Sequence, residues 1–166
     1  MNNKNIIILG IDPGFYITGL SILKYTKKKK IIIKYIKEIK FKKKYNYIKK
    51  MYYLYKKINK IIKYYKPNII AMESSFLGKN VKSLKRQIQC QSAIILATIH
   101  NKLSIIEYSP KTIKLLITGY GNSTKLELKN KINKIFNKNL NYSKNYDFSD
   151  SIGVALTYIY KNYNKN

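Results

Sequence analysis

The sequence contains few of the side chains on which redox and thiolate sites depend. Cys90 is the only cysteine and His100 the only histidine among 166 residues, which excludes an internal disulfide and a thiolate metal cluster. No apolar run approaches the roughly 18 residues that a membrane span needs. The first apolar run, residues 6–9, is too short for a signal peptide. We therefore expect a cytoplasmic protein of bacterial type with no membrane partner, although an organelle matrix would also fit.

Negative charge is scarce as well. Seven acidic residues stand against 34 lysines and arginines, so the net charge is +27. Such a surplus favours nucleic-acid binding because cationic side chains displace counterions from phosphates. However, Arg86 is the only arginine, and Lys, Ile, Asn and Tyr, whose codons are rich in A and T, supply 97 of the residues. The charge is therefore compatible with nucleic-acid binding but does not establish it.

Hydrophobic patterning predicts a single α/β domain over residues 1–166. Short apolar runs predict strands, and apolar residues at helical spacing between turn and capping signals predict helices. The predicted strands are 5–12, 15–25, 31–41, 68–73 and 104–108. The predicted helices are 48–65, 81–103, one beginning at Ser109-Pro110, one capped by Thr124 and Glu127, and 148–160.

Four of the seven acidic residues occupy positions that suggest a ligand site. Asp12 and Glu73 each end an apolar strand, and the carboxyl ends of strands are where α/β proteins bind ligands. Asp147 and Asp150 are three residues apart at the start of a helix, so they share one face. Helix capping could explain one member of this pair. Structural roles suffice for the other three acids, Glu38, Glu107 and Glu127.

If the four carboxylates converge, their mutual repulsion requires a cation. Oxygen ligands without histidine or cysteine select Mg²⁺ or Mn²⁺ over zinc. Two such ions about 3.5–4 Å apart can cleave phosphodiesters, since one activates water and the other stabilises the leaving oxygen. The pattern thus favours a metal-dependent nuclease. His100 lies late in a long helix and is not expected to act as a general base.

Four sequence blocks resemble the RuvC family of Holliday-junction resolvases, in the family's order. They are residues 10–14 (GIDPG) with 17–19 (ITG), residues 71–76 (AMESSF), residues 107–111 (EYSPK) continuing through 117–121 (ITGYG), and residues 147–156 (DFSDSIGVAL). Together they carry all four candidate acids and span nearly the whole chain. The resemblance implies a ribonuclease H-like fold, with a mixed five-stranded sheet flanked by helices.

The resemblance also implies a homodimer that binds four-way DNA junctions and nicks two opposing strands symmetrically, with two Mg²⁺ ions per subunit for which Mn²⁺ may substitute. Asp12, Glu73, Asp147 and Asp150 match the family's metal ligands. Phe76 matches an aromatic residue that stacks on unpaired bases, although packing in the core would also explain a phenylalanine there. Lys114 and Lys125 match lysines near the scissile phosphate, and Lys79 lies in a loop expected to contact DNA. A branch-migration complex is a possible further partner.

Two other interpretations remain open from the sequence. The chain could be another nuclease of the ribonuclease H-like superfamily, although the third block and the short length argue against this. It could instead be a catalytically inactive nucleic-acid-binding module. Retention of all four acids among only seven speaks against that second interpretation.

Overall fold

The computed structural model describes residues 5–42, 44–75, 80–136 and 147–163. The strands are β1 (Ile6–Asp12), β2 (Ile17–Tyr25), β3 (Ile31–Lys40), β4 (Ile69–Glu73) and β5 (Ile105–Tyr108). The helices are α1 (Tyr47–Tyr65), α2 (Val81–His100), α3 (Pro110–Thr118), α4 (Lys125–Phe136) and α5 (Asp147–Tyr163). Each of them has a counterpart predicted from the sequence, with ends that differ by a few residues.

The strands form one mixed sheet in the order β3-β2-β1-β4-β5. β1, β2 and β3 are antiparallel neighbours, whereas β4 and β5 run parallel to β1. This arrangement confirms the predicted five-stranded mixed sheet flanked by helices. Because β1 and β4 are parallel neighbours, their carboxyl ends lie at the same edge of the sheet, which we call the carboxyl edge.

Helices cover both faces of the sheet, so each face has its own apolar core. One core joins α1 and α2 to side chains such as Leu9 and Met72. The other joins α3, α4 and α5 to side chains such as Ile8 and Ala71. Fully buried strand residues of this kind explain why β1 and β4 are continuous apolar runs.

α5 crosses β1 at Gly10 in very close contact. A Cβ atom at Gly10 would lie 2.3 Å from the carbonyl oxygen of Ser151, so only glycine fits there. The Ser21 hydroxyl donates a 2.9 Å hydrogen bond to the same carbonyl oxygen. These contacts fix the first turns of α5 above the sheet, two residues before β1 ends at Asp12.

Local hydrogen bonds set several element ends. Ser109 caps α3 by accepting a hydrogen bond from the Thr112 amide, with Pro110 in the first turn, as predicted. Thr124 and Glu127 form the predicted capping box of α4. β2 begins at Ile17, later than predicted, because Thr18 exchanges hydrogen bonds with Gly14 and closes a turn.

Among the described helices, none combines the length and apolar character required to cross a bilayer.

Candidate active site

Asp12 and Glu73 end neighbouring strands at the carboxyl edge. β1 and β4 are in parallel register up to the pair Ile11 and Met72, and each strand ends one residue later with its acid. Neighbouring strands lie about 4.8 Å apart. Both acids are half-buried, because the strands that carry them are core strands and only their last residues reach the edge. The strand register therefore places both acids at the carboxyl edge, as predicted.

Asp150 approaches the carboxyl edge from α5, which packs on one face of the sheet. It is buried in the first turn of α5 and directly precedes Ser151, the residue that contacts Gly10 of β1. Lys125, the first residue of α4, donates from its Nζ to Asp150 Oδ2 at 2.9 Å. Because α4 and α5 pack side by side on one face of the sheet, Asp150 and the predicted Lys125 lie in direct contact.

Electrostatics connect Glu73 with Asp150 and with both predicted lysines. Burial and the neighbouring Asp150 charge raise the pKa of Glu73 to about 7, whereas Lys125 and Lys114 act in the opposite direction. A carboxyl group with such a pKa sits where a negative charge is poorly solvated. It is stabilised by a proton or by a cation close to it.

Several predicted residues lie wholly or partly outside the described structure. Phe76 and Lys79 lie in the segment 76–79, which is not described. Asp147 begins α5, one turn before Asp150, but its side chain is outside the described set. Among the side chains that the structure does describe, no group of three or more His, Cys, Asp or Glu could hold a metal ion. In that set Asp150 is paired with Lys125.

Gln91 supports the end of β4, a role that the sequence analysis missed. Its amide donates a 2.9 Å hydrogen bond to the Glu73 carbonyl oxygen, and it accepts one from the Ser75 hydroxyl. Gln91 is buried on a face of α2 that is otherwise apolar or small. A glutamine between the buried residues Cys90 and Ala93 is the signal that could have identified it, since a buried polar group needs a partner.

The family model and the sequence relatives point to one family. A model of the family described as crossover junction endodeoxyribonuclease RuvC matches residues 8–158. The chain is 38% identical to the crossover junction endodeoxyribonuclease RuvC of Wigglesworthia glossinidia brevipalpis over 161 residues, covering 96% of this chain and 97% of the relative. It is 34% identical to the protein of the same name from Finegoldia magna over 153 residues, covering 92% of each.

Solved structures show the same fold. RuvC of Thermus thermophilus superposes with a TM-score of 0.82 at 18% identity, covering 94% of this chain and 95% of that one. A second structure, of T. thermophilus RuvC in complex with a Holliday junction substrate, also gives a TM-score of 0.82, at 16% identity and the same coverage. The yeast mitochondrial Holliday junction resolvase Ydc2 gives 0.70 at 16% identity, over 92% of this chain and 77% of that one.

Proposed function

This chain belongs to the RuvC family of crossover junction endodeoxyribonucleases, and we propose from that premise that it resolves four-way DNA junctions by paired, symmetric nicks. It is thus a hydrolase of DNA phosphodiesters that acts in recombination and repair. The observation that carries the assignment of its site is the register of β1 and β4, which ends both strands on an acid at one edge. We propose that it acts in the cytoplasm.

We propose that Asp12, Glu73, Asp147 and Asp150 bind two Mg²⁺ ions per subunit, for which Mn²⁺ can substitute. The donor chemistry supports this, since carboxylate oxygens without histidine or cysteine suit hard divalent ions. A cation would also relieve the repulsion between Glu73 and the neighbouring Asp150. When bound, such ions supply an activated water and stabilisation of the leaving oxygen.

Two lysines of this chain complement the acids. Lys125 contacts Asp150 directly, and Lys114 lies close enough to Glu73 to influence its pKa. We propose that both attract the scissile phosphate and hold it against the carboxylates. Phe76 as a base-stacking residue and Lys79 as a DNA contact are proposals that rest on family membership.

Paired nicks on opposing strands require two active sites related by two-fold symmetry. We propose that the chain is a homodimer and that its copies pack through the outer face of α2. Ile88, Leu96 and Ile99 are exposed there along one side of the helix, opposite the buried Cys90 and Ala97. An apolar stripe of this kind is typical of a surface that packs against another helix. A branch-migration complex as a further partner rests on family membership alone.

The experiment that tests the function compares four substrates. A synthetic four-way junction, a linear duplex, an RNA–DNA hybrid and a single strand are incubated with and without Mg²⁺. We expect Mg²⁺-dependent nicking of the junction in preference to the others. Equal cutting of hybrid and junction would favour a different ribonuclease H-like nuclease, whereas binding without cutting would favour an inactive binding module.

The matching variant is Asp12→Asn, which removes one charge and keeps the side-chain shape. We expect it to abolish nicking and to leave junction binding largely intact, with binding that falls steeply as salt rises. Glu107→Gln is the control, because Glu107 is an exposed acid on β5. Nicking by Asp12→Asn at the wild-type rate would refute the metal-site assignment.

The dimer is tested separately. Leu96→Lys places a charge in the middle of the apolar stripe of α2, and sedimentation should then show a monomer in place of a dimer. Lys131→Gln, on an exposed position of α4 at the opposite face of the sheet, should leave the dimer unchanged. A wild-type chain that sediments as a monomer would contradict the proposal.

A further inference from the structure

Two cations and two aromatic rings form a compact group beside the turn that follows β1. We call Phe15, Tyr16, Lys50 and Arg86 the turn cluster. The Lys50 Nζ lies 4.2 Å from the Phe15 ring centroid and 4.9 Å from that of Tyr16. The Arg86 Cζ lies 4.8 Å from the centroid of Phe15 and 5.9 Å from that of Tyr16. Both cations therefore share the same pair of rings.

The turn cluster lies next to the carboxyl edge. Phe15 and Tyr16 belong to the turn that follows Asp12, the last residue of β1. Arg86 comes from α2, the helix that follows the end of β4, one turn before the buried Cys90. The turn after β1 and the helix after β4 thus meet in this cluster.

Neither cation of the turn cluster forms an ion pair with a carboxylate in the described part of the chain. The two ion pairs found there join Lys40 to Glu38 and Lys125 to Asp150, and neither involves Lys50 or Arg86. Lys50 is only 4% exposed, so its charge is poorly solvated. The ring distances place the two cations within about 10 Å, the Debye length at 0.1 M salt. A bound anion would stabilise both.

Arg86 has the geometry to bind that anion. Its Nη1 donates a 2.9 Å hydrogen bond to the Tyr16 hydroxyl, which uses one of five N–H donors. The remaining donors of a planar guanidinium match the two oxygens of a phosphate in bidentate fashion. Lysine cannot stack on a ring and present such a fork at once. Arg86 is the only arginine in a chain with 33 lysines.

We infer that the turn cluster binds a backbone phosphate of the junction strand next to the site of cutting. Arg86 makes the contact, Tyr16 orients its guanidinium, and the buried Lys50 adds positive charge behind it. The Tyr16 ring, 64% exposed, forms the outer wall of this subsite. The inference rests on the proposed function, since it takes junction DNA as the ligand.

Substitutions at position 86 separate a specific contact from general positive charge. For Arg86→Gln we expect junction affinity to fall about tenfold and the slope of log K against log salt to drop by about one. For Arg86→Lys we expect a several-fold loss with the slope kept, because the charge remains and the fork is lost. Lys85→Gln, an exposed neighbour, is the control and should lose less than about twofold in affinity.

A second measurement uses the unaltered protein. Phenylglyoxal modifies guanidinium groups, and this chain has a single one. Peptide mapping by mass spectrometry therefore follows modification of Arg86 alone. Saturating four-way junction should slow the modification by at least about tenfold, and protection should weaken as salt releases the DNA.

The outcomes separate this inference from the proposed function. If the wild-type chain fails to bind the junction, the proposed function fails and this inference with it. If the wild-type chain binds but Arg86 is not protected, the turn cluster is not a phosphate subsite. The inference is also overturned if Arg86→Lys binds as well as wild type, or if Arg86→Gln and Lys85→Gln lose affinity equally. A variant that lowers the melting temperature without changing affinity shows a purely structural role.

Discussion

Two ion pairs of nearly identical geometry differ in what surrounds them. In both, a lysine Nζ lies 2.9 Å from a carboxylate oxygen. The side chains of Lys40 and Glu38 are 62% and 6% exposed, and those of Lys125 and Asp150 are 61% and 9% exposed. The Asp150 pair, however, has a second carboxylate beside it. This carboxylate is Glu73, whose pKa is raised by the Asp150 charge.

Glu38 lies at the same end of the sheet without such a neighbour. It pairs with Gly19, which in turn pairs with Asp12, so Glu38 stands two strand spacings, roughly 10 Å, from Asp12. Its second oxygen, Oε1, is buried and has no hydrogen-bond partner among the described residues. A paired, buried carboxylate therefore does not by itself identify a site. What distinguishes the Asp150 pair is the further acid beside it, Glu73.

The largest difference between the two pairs should appear in catalysis. We expect Asp150→Asn to lower the rate of junction nicking at least about a hundredfold, since even residues that merely support metal ligands typically cost 10–100-fold. Glu38→Gln should change the rate less than about threefold. Single-turnover nicking in Mg²⁺ measures both, after junction binding has been verified for each variant. Equal losses would erase the distinction between the two pairs.

Substitutions of the two paired lysines should also differ in their effect on the nicking rate, but by a smaller factor than substitutions of the two acids. Lys125→Met removes the cation that holds Asp150, and we expect about a tenfold loss of nicking rate. Lys40→Met removes an equally exposed lysine from Glu38 and should leave the rate unchanged. The same nicking assay, run at saturating junction, separates this effect from weaker binding. A loss in Lys40→Met as large as in Lys125→Met would mean that general charge accounts for both.

The sequence predicted the elements of the fold because their signals are local. Apolar runs ending in an acid, a capping box at Thr124 and a proline-led helix start each depend on a few adjacent residues. The positions of Asp12 and Glu73 followed from the rule that parallel strands share a carboxyl edge. No local signal, by contrast, joins Tyr16 to Arg86, which meet across 70 residues of chain.

The orientation of α2 shows a different limit of sequence reasoning. This helix has two faces rich in apolar residues, one with Ile88 and Leu96 and one with Ala93 and Ala97. Periodicity predicts a helix from either set but does not say which face is buried. The structure buries the face with the small alanines. Small side chains let neighbouring elements approach closely, and that packing property depends on the partner surface.

The pH dependence of stability should also distinguish the two regions. In EDTA, the raised pKa of Glu73, about 7 against 4.5, means that the folded state binds its proton more tightly than the unfolded state. The resulting stabilisation is complete below about pH 4.5 and is lost as the pH rises through 7. We expect the melting temperature to fall by several degrees over this range. Glu73→Gln should flatten the fall, whereas Glu38→Gln should retain it.

The smallest effect concerns the stability of the ion pairs themselves. Each lysine is exposed, so we expect Lys40→Met and Lys125→Met each to cost about 1 kcal/mol or less in the metal-free protein. At pH 8 Lys125→Met should cost more than Lys40→Met, because it leaves Asp150 facing an ionised Glu73 without the neighbouring cation. At pH 5 Glu73 holds its proton, and the two costs should become equal. Urea unfolding at both pH values measures this difference. If the costs are the same at pH 8, Asp150 and Glu73 do not repel each other, and the contrast with Glu38 disappears.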